Sequence, residues 1–213
     1  MRQLNLLIVC YLYSLCSYAE PVYISHFDNP SLSDWQVKSF KAHTEYQVVS
    51  LNKEKALQAK SSSSASSLFK EIQIDLHKTP YLNWSWRVDK KPSIDNEQSK
   101  QGDDFAARIY LIIEGKWFFW QTRAINYVWA NHSPKNEAWA NPFAGNNVMM
   151  IAVRSNTDQA KQWYTEKRNV LTDLNSHFGN DIRYIDAIAI MTDTDNSASS
   201  AISYYANIYF SEN

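Results

Sequence analysis

Asp103, Asp104 and Arg108 fall in one short stretch, "GDDFAARIY", with Tyr110 close behind. Carboxylates beside a guanidinium and a phenol can hydrogen-bond sugar hydroxyls, hold an anionic group, or serve as general acid and base. Asp193, Asp195 and Asn196 in "MTDTDN" form a second oxygen-rich stretch. Calcium takes six to eight oxygens, so these three would make only part of a shell, and Asp and Asn also favour turns. Arg87 in "WSWRV" and Arg123 in "TRAINYVW" complete the cationic candidates. An Asp near an Arg is also an ordinary structural ion pair of modest worth.

The chain lacks the patterns of several other chemistries. Its four glycines, Gly102, Gly115, Gly145 and Gly179, are too dispersed for a phosphate-cradling loop. There is no G-x-S-x-G elbow. His26, His43, His77, His132 and His177 are scattered without metal-ligand spacing.

The elements that must carry these residues read as strands. Period-two alternation recurs in about ten segments, among them "TEYQVVSL", "SLFKEIQIDL", "YLNWSWRV", "FAARIYLII", "KWFFWQTRAINYVW", "NVMMIAVRS", "IDAIAIMTD" and "ISYYANIYF". Close spacing predicts an all-β, antiparallel sandwich of the jelly-roll, galactose-binding-like kind. One short helix is expected near 169–178, where Val170, Leu171, Leu174 and Phe178 recur at helical spacing and Gly179 stands at the stop. "SSSSASS" at 61–67 reads as a strand-to-strand turn or edge rather than a linker.

Successive strand residues face opposite ways. Phe105, Ala107, Ile109, Leu111 and Ile113 would face the core, leaving Asp104, Ala106, Arg108, Tyr110 and Ile112 outside. Asp104 and Arg108 would then stand roughly 13 Å apart, straddling a ligand or pairing with neighbouring strands. Leu82, Trp84, Trp86 and Val88 face the core, with Arg87 opposite; Ile188 and Ile190 oppose Ala187, Ala189, Met191 and Asp193. On the last strand Ser203, Tyr205, Asn207 and Tyr209 share a side. Alanines beside Asp, Arg and Tyr would leave a shallow groove. Trp129, Trp139 and Trp163 are open between platform and core.

Residues 1–19 read as a signal peptide: Arg2, an apolar run, then small residues up to Ala19. Residues 20–213 would be a single sandwich domain, exported to the periplasm or beyond. Both cysteines, Cys10 and Cys16, would leave with the leader, so the mature chain has no disulfide or cysteine metal site. Its 20 Lys and Arg against 22 Asp and Glu argue against nucleic acid as a partner. No stable membrane insertion is expected after cleavage.

"WSWRV", "GDDFAARIY", "NYVW", "EKRNV" with Asp173, and "IAIMTDTDN" followed by "YYANIYF" resemble a bacterial family, Domain of Unknown Function 3047, over about Phe27 to Phe210. The family pattern has an acid where this chain has Lys167, and often Asp where it has Asn207. The resemblance implies an exported sandwich with no assigned catalytic residues. The "FD...L..W" opening and "YYANIYF" ending are also similar to carbohydrate-binding jelly rolls.

The leading expectation is a ligand-binding domain that recognises a glycan or similar polar ligand. Its groove would be lined by Arg87, Asp104, Arg108, Tyr110, Arg123 and Asp193, with no cofactor beyond a calcium option at Asp193, Asp195 and Asn196. One alternative is a polysaccharide hydrolase or lyase using the same groove, with Asp104 and Asp193 as acid and base. Another is a structural envelope protein.

Overall fold

The computed structural model describes residues 19–29, 31–51, 54–114 and 122–213. Residues 1–18 of the leader reading fall outside these residues, as does the "KWFFW" half of one strand candidate.

Two sheets face each other. The first runs β2 (Gln36–Lys41), β5 (Ala65–Asp75), β12 (Tyr184–Asp193), β7 (Arg108–Ile113), β8 (Arg123–Trp129), β10 (Gly145–Arg154) and β9 (Ala138–Asn141). The second runs β11 (Tyr164–Asn169), β6 (Tyr81–Lys90), β13 (Ser200–Ser211), β4 (Glu54–Ser62) and β3 (Glu45–Leu51), with β1 (Val22–Ser25) pairing the far end of β13. This is the jelly-roll sandwich the alternation predicts, with one departure. β8 and β10 are parallel, because β9 intervenes between them and pairs antiparallel with β10.

Burial follows the alternation where strands are regular. Trp84, Trp86, Ile109, Leu111, Ile188 and Ile190 share one core between the sheets. Trp129 joins them, its ring tilted against that of Trp86 and its indole N–H donating to the Ser155 carbonyl at 3.2 Å. The one α-helix among the described residues, α1 (Val170–Phe178), begins at Asn169, whose side chain accepts from the Thr172 N–H, and ends at Gly179 with φ 87°. Asp173 in its first turn accepts from the Tyr127 hydroxyl at 2.6 Å and from both ends of Arg168, tying helix to sheet. The "SSSSASS" stretch holds the end of β4, the two-residue turn at 63–64 and the start of β5, and the Ser61 hydroxyl is buried against Ser64 and Thr194.

Alternation fails where the backbone is irregular. Asn207 sits at φ 51° in a register shift between Ala206 and Tyr209 on β13. Such a bulge adds one residue and flips the parity beyond it. Ser203 and Tyr205 are therefore buried, while Asn207 is exposed and Tyr209 half-buried. Strands β1, β2, β9 and β11 escape the sequence reading as whole elements, being four to six residues long, and β2 is exposed throughout.

Candidate functional site

The outer face of the seven-stranded sheet carries an open groove of about 840 Å³. Strand register lays side chains in straight rows across it. One row runs Phe69, Ala189, Tyr110, Asn126, Met150 and Trp139, each paired in register with the next. A neighbouring row sets Lys38, Ser67, Met191 and Arg108 side by side. Small Ala189 beside larger Tyr110 and Phe69 shapes the floor, as the alternation of β7 and β12 implies. Phe40 on β2 and Phe143 just beyond β9 rim opposite edges, 62% and 58% exposed. Lys38 lies over the Phe40 ring and Lys100 over the Phe143 ring.

The polar end is built around Arg108. Regular strand geometry begins only at Arg108; residues 103–107 bend instead of extending β7. Asp103 can therefore turn back, so that Arg108 donates to its carbonyl at 3.1 Å and to its carboxylate at 3.4 Å. From β12, Asp193 accepts from Arg108 Nε at 2.9 Å and pairs through its second oxygen with a terminal guanidinium nitrogen. Asn141 donates to the other Asp103 oxygen at 3.1 Å. Beneath, the Tyr205 hydroxyl accepts the Arg108 backbone N–H at 3.2 Å.

This bend overturns the expected separation of Asp104 and Arg108 along one strand. Asp104 is fully buried, and its carboxylate accepts the backbone N–H groups of Asn196 and Ser197 at 3.2 and 2.6 Å. Phe105 likewise leaves the face expected of it. It packs in a satellite cluster with Val128, Met150 and Trp139, under the Arg108 guanidinium.

Burial pushes the Asp103 carboxyl above its ordinary range, against the pull of Arg108 and Asn141. Burial likewise raises Tyr110, again opposed by Arg108. For Arg108 burial works against the charge, but Tyr110, Asp103 and Asp104 outweigh it and its pKa rises.

The structure thus gathers Asp104, Arg108, Tyr110 and Asp193 at one end of the groove, with Asp104 behind the wall. It does not bring the other two expected residues there. Arg87 lies on the six-stranded sheet, paired with Asp89 at 2.6 Å and over the Tyr204 ring. Arg123 shares the parity of Ile125 and Tyr127 and donates to the Phe178 carbonyl at 3.3 Å. Phe40, Phe69, Phe143 and Asn141 escaped the sequence reading, because a lone Phe in a short strand or turn looks the same whether it meets core or solvent. Trp163 packs half-buried with Tyr204 on the six-stranded sheet's outer face, away from the groove.

One carboxylate oxygen each from Asp104, Asp193 and Asp195 lies within 4.8 Å of the others. Calcium takes six to eight oxygens, so these three would supply only part of a shell. The backbone N–H groups of Asn196 and Ser197 and the Asn196 side-chain nitrogen donate to Asp104, and Arg108 pairs with Asp193. These bonds tie the turn after β12 to the bend before β7.

The chain belongs to the family described as Protein of unknown function (DUF3047), whose model matches residues 33–209. No curated protein matches it. Its fold is similar to that of a family 11 carbohydrate-binding module from the cellulosomal cellulase Lic26A-Cel5E of Clostridium thermocellum, at 9% identity and TM-score 0.52, covering 91% of this chain and 95% of that one. Also similar are a non-crystalline cellulose specific carbohydrate-binding module, CBM28 (14% identity, TM-score 0.47, 91% and 96% covered), and the family 30 module of the Clostridium thermocellum cellulase Cel9D-Cel44B (9%, 0.46, 92% and 94%). Among the described residues no helix is long and apolar enough to cross a membrane.

Proposed function

We propose that this protein is an exported glycan-binding module whose ligand lies in the groove of the seven-stranded sheet. The observation that carries this reading is the groove itself. It crosses every strand of the sheet, has aromatic rings on floor and rims, and sets polar groups at one end. Aromatic faces cover the C–H patches of sugar rings, while a few placed polar groups orient the hydroxyls. The jelly-roll likeness to carbohydrate-binding modules supports the same reading at the level of fold. Export rests on the leader pattern of residues 1–19.

The test is binding of the mature chain to a panel of polysaccharides, wild type against Tyr110→Ala and Phe143→Ala. Binding that is lost in folded variants supports the groove. A ligand held equally by all three proteins places recognition elsewhere.

One observation favours a second reading, an enzyme acting on a polysaccharide. Asp103 lines the groove with a raised pKa, as a general acid requires. Release of new chain ends from a bound polymer, abolished in Asp103→Asn, would establish it.

A further inference from the structure

We infer that the groove selects uncharged glycan chains and rejects those carrying carboxylate or sulfate groups, an inference that rests on the glycan-binding reading above. A guanidinium fork is the usual receptor for such groups. All six arginines among the described residues already have acceptors. Arg87 holds Asp89, Arg154 holds Glu166 and Asp158, Arg168 holds Asp173, and Arg183 holds Asp75. Arg123 is on the Phe178 carbonyl.

The one arginine in the groove, Arg108, is 2% exposed. Nε goes to Asp193, and the two terminal nitrogens go to Asp193 and Asp103. These pairs engage every guanidinium nitrogen, so swinging the fork outward to hold an anion would break buried pairs. An anionic group on the floor would instead meet two carboxylates against that single guanidinium. Among the described lining side chains, Lys38 and Arg108 stand against Asp103, Glu114, Asp193 and Asp195, a formal balance of −2. Like charge brought against like charge costs affinity and penalises the wrong partner.

Lysines do approach the rims. Lys38 and Lys100 lie over the exposed Phe40 and Phe143 rings, and Lys41 is held by the Asp195 carbonyl at 3.0 Å. An ammonium is a hydrated point charge on a flexible stem. At the rim it leaves the floor acidic.

The decisive experiment uses polymer pairs with one backbone and two charge states: hydroxyethyl- against carboxymethyl-cellulose, and methyl-esterified against de-esterified pectin. Binding to the mature chain is measured at low and high salt, with Phe143→Ala locating the contact. That side chain is exposed, so the variant should fold. For any backbone that binds, the uncharged member is expected to bind at least about tenfold tighter at low salt, roughly 1.4 kcal/mol. High salt should narrow the gap by screening the repulsion. Equal or tighter binding of the carboxylated member, weakened in Phe143→Ala, overturns charge selection and leaves the glycan reading intact. Binding to no polysaccharide, across these pairs and the wider panel, overturns both.

Discussion

Arg108 at the start of β7 and Asp193 at the end of β12 meet side by side, Nε to Oδ1 at 2.9 Å, both within the buried interior of the sheet's polar end. Asp193 also accepts the Phe105 N–H at 3.1 Å, so one carboxylate fixes both the guanidinium and the bend that precedes it. Removing either partner leaves the other buried and uncompensated, which typically costs about 3–5 kcal/mol. Arg108→Met and Asp193→Ala are each expected to lose stability of that order in urea unfolding. The double variant should lose less than the sum of the two. Additive losses would show that the residues are energetically independent.

Glu97 is a second buried anchor, 1% exposed in the polar loop between β6 and β7. Its carboxylate accepts the backbone N–H groups of His132 at 3.0 Å and Ser133 at 2.6 Å, and also that of Asn131. Hydrogen bonds to a charged group contribute about 1.5–3 kcal/mol each. Glu97→Ala should lower the melting temperature and speed hydrogen exchange at residues 131–133. Unchanged exchange there would dismiss Glu97 as the anchor.

Asp103 sets the direction of one pH dependence. Its pKa is raised in the folded protein, so the folded state holds that proton more tightly than the unfolded chain. Its contribution to stability is fully present below the unfolded carboxylate pKa, near pH 4, and declines as pH rises through the folded value. Asp158 acts the other way: burial is outweighed by Lys135, the Ser155 N–H and Arg154, and its pKa is lowered. It stabilises above the unfolded pKa and loses that contribution on acidification. In denaturant titrations at several pH values, Asp103→Asn should improve relative to wild type from pH 4 upward. Asp158→Asn should close its deficit as the pH falls. Parallel curves would remove the linkage.

The buried phenols forecast an alkaline transition. Burial raises the pKa of Tyr46, Tyr110, Tyr127 and Tyr205 above the ordinary value. Each group's stabilising contribution holds below the unfolded pKa, about 10, and is lost as pH climbs through the folded value. Phenolate absorbance should therefore rise in two stages, exposed tyrosines first and the buried set only as circular dichroism collapses. A single smooth rise in the intact fold would contradict this burial.

Much of the framework was legible in the sequence. Two-residue alternation sorted β6, β7 from Arg108 onward and β12 into core and outer faces. Helical spacing and Gly179 marked α1, and the outward facing of Arg108 and Tyr110 on β7 and of Ala189 and Asp193 on β12 followed from parity. Parity is local physics: it holds wherever the backbone stays extended. It failed at residues 103–107 and at Asn207, where a bend or a left-handed residue breaks the repeat.

What only the tertiary structure decided is which charges remain available. Sequence placed Arg87, Arg108 and Arg123 together as ligand contacts. Pairing across strands sent Arg87 to the other sheet and Arg123 to the end of α1, and closed Arg108 between Asp103 and Asp193. Phe40 and Phe143 became opposite rims of one groove only because β2 and β9 are the two edges of a seven-stranded sheet. Strand order and the partner of each charge are long-range choices, set by which surfaces bury together, and no local spacing encodes them.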